Sequence, residues 1–385
     1  MKKTGYGIVP VITQKDEHDF LRVPHQIYDG DPGWVCPLDM DIRRIFDPKK
    51  NPKFQNGKAA RWILKNESGK AAGRIAAFID RMRCNHRGTP TGGAGFFECP
   101  DDPGAATLLF DTARSWLSEN GMEAMEAPVN FGENDSFWGL LVEGFSPPAY
   151  GMAYNPLYYK ALFEGYGFQM EFEQISNELD MLKPLPDRFR RIADWANHRE
   201  GVEFRHASAS TIPEYSNYLW EIYNEAWTFL DDFVPVSKEE IRAIAKNFKH
   251  VAIEAFMPFA FVHGEPAGFI LCIPDLNPVF KPLKGNFSLW QKLLFLLRSR
   301  NQMAWYRKRA ILTRGRVMAM GIKPRFQRLG LEAGMIMSSY EQAKAMGFNS
   351  LELSWVRDIN TRMQKLHENV GAQRLRVHQT YHFPF

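Results

Sequence analysis

Residues 316–372 impose a strand, a helix, a second strand and a second helix in that order, and a similar order occurs earlier in the chain. A short apolar run, Val317 to Ile322, is broken by Pro324, so a strand hands over to a helix there. The helix starts near Gly330 and runs towards Lys344. Its Met335, Ile336, Ser339, Tyr340 and Ala343 recur at three- and four-residue steps, and Gly347 closes it. A strand from Leu351 to Val356 follows, then Asn360, another helix and Gly371.

The first half repeats this plan. Residues 59–80 read as a hairpin with a polar turn, and so do residues 258–275; Gly73 precedes Asp80 by seven, as Gly268 precedes Asp275. Gly104 and Gly121 are seventeen apart, the separation of Gly330 and Gly347, and the helix between them carries Leu108, Leu109, Ala113, Trp116 and Leu117. Asn155 leads to Gly167 as Asn360 leads to Gly371, within one residue. Matched anchors in one order predict two copies of one fold, with a boundary in 182–202 and domains at 1–195 and 196–385. A chain of 385 residues with 45% hydrophobic content has enough apolar surface for two cores.

Composition excludes several classes. A net charge of +4 is small for this length, so nucleic acid is not an expected partner. Cys36, Cys84, Cys99 and Cys272 are scattered without metal-ligand spacing, which predicts no disulfide framework and no metal. Neither a signal peptide nor an apolar run of spanning length is read, so the expectation is a cytoplasmic protein.

The turn before Gly330 is a place where backbone N–H groups and a helix dipole hold an anion, with Arg325 and Arg328 adding positive charge. Pro324, Gln327, Gly330, Gly347, Asn360, His367 and Gly371, in this order and spacing, resemble the GNAT (Gcn5-related N-acetyltransferase) superfamily. Gln327 and Gly330 match the first two positions of its pyrophosphate motif, Q/R-x-x-G-x-G/A, while Glu332 departs from the third. The resemblance implies an α+β fold: two tandem GNAT-like acyl-CoA N-acyltransferase domains, each a mixed, largely antiparallel twisted sheet with flanking helices. It implies acyl-CoA or acetyl-CoA as co-substrate, held by Met320, Gly321, Ile322, Arg325, Gln327, Arg328, Gly330 and Asn360. His367 stands where the family usually carries a Tyr that protonates the departing thiolate. In the first copy Asp101 stands at the Gln327 position and Phe163 at the His367 position. An acidic loop repels pyrophosphate and a phenyl ring donates no proton, so that copy reads as a degenerate scaffold.

Three further stretches bear on substrate. The insert at 128–155 mixes aromatics with Asn130, Glu133, Asn134 and Asp135; a substrate lid and a loop covering a domain joint are both open readings. The helical stretch from Thr211 carries Glu221, Asn224, Glu225 and Trp227. Glu221 or Glu225 is a candidate base, with a solvated helix face as the alternative. Asp275, after Pro274, is a second candidate base, or a cap of the turn at 274–278. The insert at 279–316 holds ten Lys or Arg and no Asp or Glu, and its leucines and Trp290 suit an amphipathic helix on an anionic membrane. A core helix with a basic side is the alternative.

Together these features resemble a bacterial family of tandem GNAT proteins, some linked to ceramide synthesis. That resemblance implies acyl transfer from a thioester to a primary amine such as a sphingoid base, by a protein at most peripheral to the inner membrane. Two other readings remain: an aminoacyl-tRNA-dependent peptidyltransferase of the same tandem fold, and a non-catalytic acyl-lipid-binding protein.

Overall fold

A computed structural model describes residues 5–84, 88–132, 136–228 and 235–385. Asn134, with Glu133 and Asp135, lies outside the described residues. The chain forms two compact units. One comprises residues 1–175, 280–287 and 376–385; the other comprises 176–279 and 288–375.

The strands, in chain order, are β1 (Tyr6–Pro10), β2 (Gly57–Asn66), β3 (Ala71–Asp80), β4 (Thr91–Glu98), β5 (Ala124–Ala127), β6 (Leu140–Glu143) and β7 (Gln169–Asp180). They continue with β8 (Val202–His206), β9 (Pro258–Val262), β10 (Glu265–Pro274), β11 (Arg314–Ile322), β12 (Ser350–Arg357) and β13 (Gln373–Pro384). In the first unit β1 to β4 pair antiparallel in sequence. The helix Pro103–Glu119 then crosses over, and β5 pairs parallel to β4. In the second unit β8 to β11 pair antiparallel, the helix Leu331–Ala345 crosses over, and β12 pairs parallel to β11. The repeat read from the glycines is therefore a repeat of topology. Gly121 and Gly347 both follow the crossover helices with φ of +84° and +92°, a conformation that glycine adopts without a Cβ penalty.

Each crossover helix is positioned by burial. In the first unit Leu109, Phe110, Ala113 and Leu117 join Leu64, Ile75, Phe97 and Phe163 in one fully enclosed cluster. Phe163, the counterpart of His367 in the alignment of copies, is thus a core ring set edge-to-face with Phe97 and Phe110 and tilted against Phe168. In the second unit Leu331 and Met335 pack on Ala260, Val262 and Ile270. Gly334 lets the helix approach so closely that a Cβ would meet the Phe204 ring at 2.1 Å.

The insert at 279–316 contains the helix Leu289–Arg298 and a kinked segment, Arg300–Arg307, whose Asn301, Gln302 and Met303 have positive φ, and β11 begins inside it, at Arg314 rather than Val317. The parallel ladder explains the earlier start, because Arg314 already pairs with Ser350. Among the described residues no helix is long and apolar enough to cross a membrane.

Candidate acyl-donor cleft and its polar apex

In the second unit the parallel ladder runs from Arg314 opposite Ser350 to Val317 opposite Leu353 and stops there. Both strands continue, β11 to Ile322 and β12 to Arg357. The strands therefore part, and the β12-facing edge of Met318 to Ile322 lies outside the ladder. On its other side β11 stays paired with β10, but the register shifts between Leu271 and Cys272. Ala319 lies opposite Leu271 and Val317 opposite Cys272, so Met318 is the extra residue of a bulge. An extended strand edge accepts an amide-bearing chain by the same bonds that pair strands. Met320, Gly321 and Ile322 all belong to this edge.

The first copy closes the corresponding gap. Its β4–β5 ladder ends with Gly93 opposite Glu126. The following insert then enters the space: the Val129 N–H donates to the Ala94 carbonyl at 2.8 Å. A Cβ on Gly95 would stand 1.8 Å from the Val129 oxygen. At the start of its crossover helix the Asp102 carboxylate accepts the Gly104 and Ala105 N–H groups, at 2.8 and 3.3 Å. An anion site is filled there by the chain's own carboxylate.

At the open end of the second copy's cleft lies the loop from Lys323 to Gly330. Pro324–Phe326 form a turn of 3₁₀ helix, Arg328 has φ of +69°, and Gly330 caps the helix Leu331–Ala345 with φ of +70° and no side-chain cap bond. Ile192 and Ala196, on the helix Asp187–Asn197, crowd the site of the missing Gly330 Cβ at 3.3 Å, so both φ and space require glycine. Gln327 Oε1 accepts from Arg362, a cation that the motif alone does not reveal. Glu332, in the first helical turn, has a buried Oε2 without a hydrogen-bond partner among the described residues.

Beside this loop the fully buried Lys323 ammonium is held by Glu221, by Glu265 at 3.3 Å and by Glu225 at 3.6 Å. Arg325 bridges Glu225, at 3.1 Å, and Glu265. Glu225 is thus shared by two cations. Asp275 is held elsewhere. Its Oδ2 accepts Arg314 Nε and Nη2 at 3.0 and 2.7 Å, and its Oδ1 accepts the Asn277 N–H at 3.1 Å, which is the turn cap. Glu265 and Asp275 lie at opposite ends of β10, ten residues and roughly 30 Å apart. Glu225 and Asp275 therefore do not converge on one reacting atom. The bulge at Cys272 is much closer in sequence to Asp275.

Sequence reading missed the residues around that end. Arg314 reaches Glu352 at 3.8 Å, and Arg316 Nε donates to Ser354 Oγ at 2.6 Å. With Asp275, these side chains form a polar cluster along the paired stretch, from its start at Arg314 towards the point beyond Val317 where β11 and β12 part. Arg316, Glu352 and Asp275 are almost wholly buried. Arg314 thus bridges two buried carboxylates, Asp275 and Glu352. The signal was present in the alternation of Arg314 with Arg316 and of Glu352 with Ser354 in otherwise apolar strands.

His367 is buried on the helix Thr361–Asn369, whose N-terminus Asn360 caps by accepting the Met363 N–H at 3.2 Å. Burial lowers the imidazole from its ordinary 6.5 to about 4, so the ring is neutral at pH 7. Its Nδ1 lies 2.8 Å from Asn177 Nδ2. An amide N–H aimed at Nδ1 makes that nitrogen the acceptor and leaves the proton on Nε2. Near the cleft Trp227 covers Gly321, where a Cβ would meet its ring at 2.7 Å. Asn224 instead closes a loop through the backbone of Val236, with both bonds 2.9 Å long. In the first unit Asn130 has an unpartnered buried Oδ1 among the described residues.

No family model matches the chain. A bacterial ceramide synthase of Caulobacter vibrioides is 29% identical over 383 residues, covering 97% of this chain and 96% of that protein. Protein YghO of Escherichia coli K12 is 26% identical, with 97% and 95% covered. A solved tandem GNAT protein from the clavulanic acid biosynthesis pathway superposes with a TM-score of 0.59 at 12% identity, covering 98% of both chains. The chain thus has the tandem GNAT fold and is similar along nearly its whole length to a bacterial ceramide synthase, likenesses that support N-acyl transfer as its chemistry.

Proposed function

We propose that the second copy transfers an acyl group from an acyl-CoA to a primary lipid amine of the sphingoid-base class. The observation that carries the reading is the parting of β11 from β12 beyond Val317 and Leu353, with an unfilled helix N-terminus at Gly330 next to it. Pantetheine amides pair with the edge from Met318 to Ile322, and the pyrophosphate meets the N–H groups beyond Gly330, with Gln327, Arg328 and Arg362 nearby. The thioester carbonyl then lies at the bulge. There the amine nitrogen attacks it, the C–S bond breaks, and the thiolate takes up the proton that the amine loses.

The apex carboxylates Glu352 and Asp275 attract the ammonium and accept its proton, directly or through water. His367, being neutral, serves through its Nε2–H as a hydrogen-bond donor to the leaving sulfur rather than as an imidazolium acid. The likeness to a ceramide synthase is what favours a lipid amine over a soluble one.

The test is mass spectrometry of the purified protein incubated with long-chain acyl-CoAs and sphinganine. N-acyl product with equimolar free CoA is expected, reduced about 100-fold or more in Glu352→Gln, which removes a charged acceptor of the proton. Absence of product with every lipid amine, alongside turnover of a soluble amine, would contradict the lipid acceptor.

A further inference from the structure

The helix Leu289–Arg298 is oriented opposite to a helix that packs into a core. Leu289, Trp290, Leu293, Leu296 and Leu297 are 84, 67, 47, 43 and 46% exposed. At about 100° per residue, these five fall within an arc of about 120°. The protein-facing side is the more polar one, with Gln291, Arg298 and the buried Ser299. Phe295 on that side approaches the Tyr306 ring, with centroids 6.1 Å apart. The helix ends are fixed locally: Ser288 and Gln291 form a capping box at the start, and Ser299 Oγ bonds back to the Phe295 carbonyl at 2.7 Å. A contiguous apolar face of five large side chains is a binding surface, since soluble monomers seldom leave such a patch uncovered.

Charge decides what covers it. Residues 279–316 carry ten Lys or Arg and no acid, and Arg300, Lys308 and Arg309 are exposed. Arg298 and Arg309 both lie against the Trp305 ring, 4.2 and 4.1 Å from its centroid, which fixes positive charge next to the helix. Two copies meeting through this face would bring like charges together, so a self-association surface is disfavoured. An apolar stripe with a basic surround matches an anionic bilayer, where leucines and tryptophan enter the acyl boundary and arginines meet phosphate.

We infer that the helix Leu289–Arg298 docks the protein on the surface of anionic phospholipid membranes. This goes beyond acyl transfer, because it needs neither a named acceptor nor an active site. The experiment is flotation of the full-length protein with vesicles of phosphatidylcholine mixed with phosphatidylglycerol, and with vesicles of phosphatidylcholine alone. Wild-type protein floats with the anionic vesicles, and salt reverses the binding. Leu293→Asp combined with Leu296→Asp, and separately Arg300→Glu combined with Lys308→Glu, each lowers the partition by about ten-fold or more. These side chains are exposed, and thermal melting verifies that the variants fold. Brominated lipid quenches tryptophan fluorescence in the wild type and less in Trp290→Phe. Equal flotation of the combined Leu293→Asp, Leu296→Asp variant and wild type would overturn the inference. So would wild-type protein that stays with the soluble fraction, or a dimer in light scattering that Leu293→Asp dissociates without any lipid binding.

Discussion

His367 couples burial to protonation, and that coupling has a defined pH signature. The unfolded chain takes up a proton below the ordinary value of 6.5, while the folded ring refuses it until about pH 4. Stability is therefore unaffected above pH 6.5 and falls as the pH drops from 6.5 towards 4, by roughly 3 kcal/mol in total. His367→Gln should flatten this part of the profile in urea titrations at successive pH values; an unchanged slope would mean that the ring is not the group responsible. Glu332 offers a second test, for its carboxylate sits in the helical turn where the pyrophosphate would bind. Glu332→Ala should tighten CoA binding several-fold, about 1 kcal/mol, in calorimetry. Weaker binding would show that Glu332 orders the loop instead. Gln327, Gly330 and His367 stood out in the sequence because they lie within one contiguous strand–helix–strand–helix stretch. Arg362 beside Gln327, and Asn177 beside His367, depend on residues 35 and 190 positions away, which no local pattern reveals.

At the level of elements, the two parallel ladders of one topology end differently in the two copies. β11 and β12 part after four paired positions, whereas β4 has Val129 laid against Ala94 where its partner strand ends. The packing that keeps β11 in place includes the Trp227 ring over Gly321. Gly321→Ala pushes that ring outward and should cost about 1–3 kcal/mol in urea unfolding; full retention of stability would mean that the ring relaxes without strain. Strand and helix periods in 316–372 were readable because apolar residues dominate them. The polar apex was not, since Arg314, Arg316, Glu352 and Ser354 become one cluster only when β11 and β12 align in parallel register. Asp275 was singled out for its place at a strand end. The structure pairs it with Arg314 and has it cap the following turn through the Asn277 N–H. The amphipathic character of 279–316 was also legible, but the direction in which its apolar face points comes only from packing.

Across the whole molecule, repetition of glycine spacing disclosed the tandem fold through its stop signals, Gly121 and Gly347, each two residues past its crossover helix; Gly104 lies inside the first helix, which Asp102 caps, whereas Gly330 itself caps the second. The compact units meet at four points along the chain: two fall inside β7 and β13, and two bracket residues 280–287. The central claim is that only the second copy holds the acyl donor. Isothermal titration of the full-length protein with a short-chain acyl-CoA tests it most directly. One site per chain is predicted. Two sites per chain, or no binding at any chain length, would contradict the account.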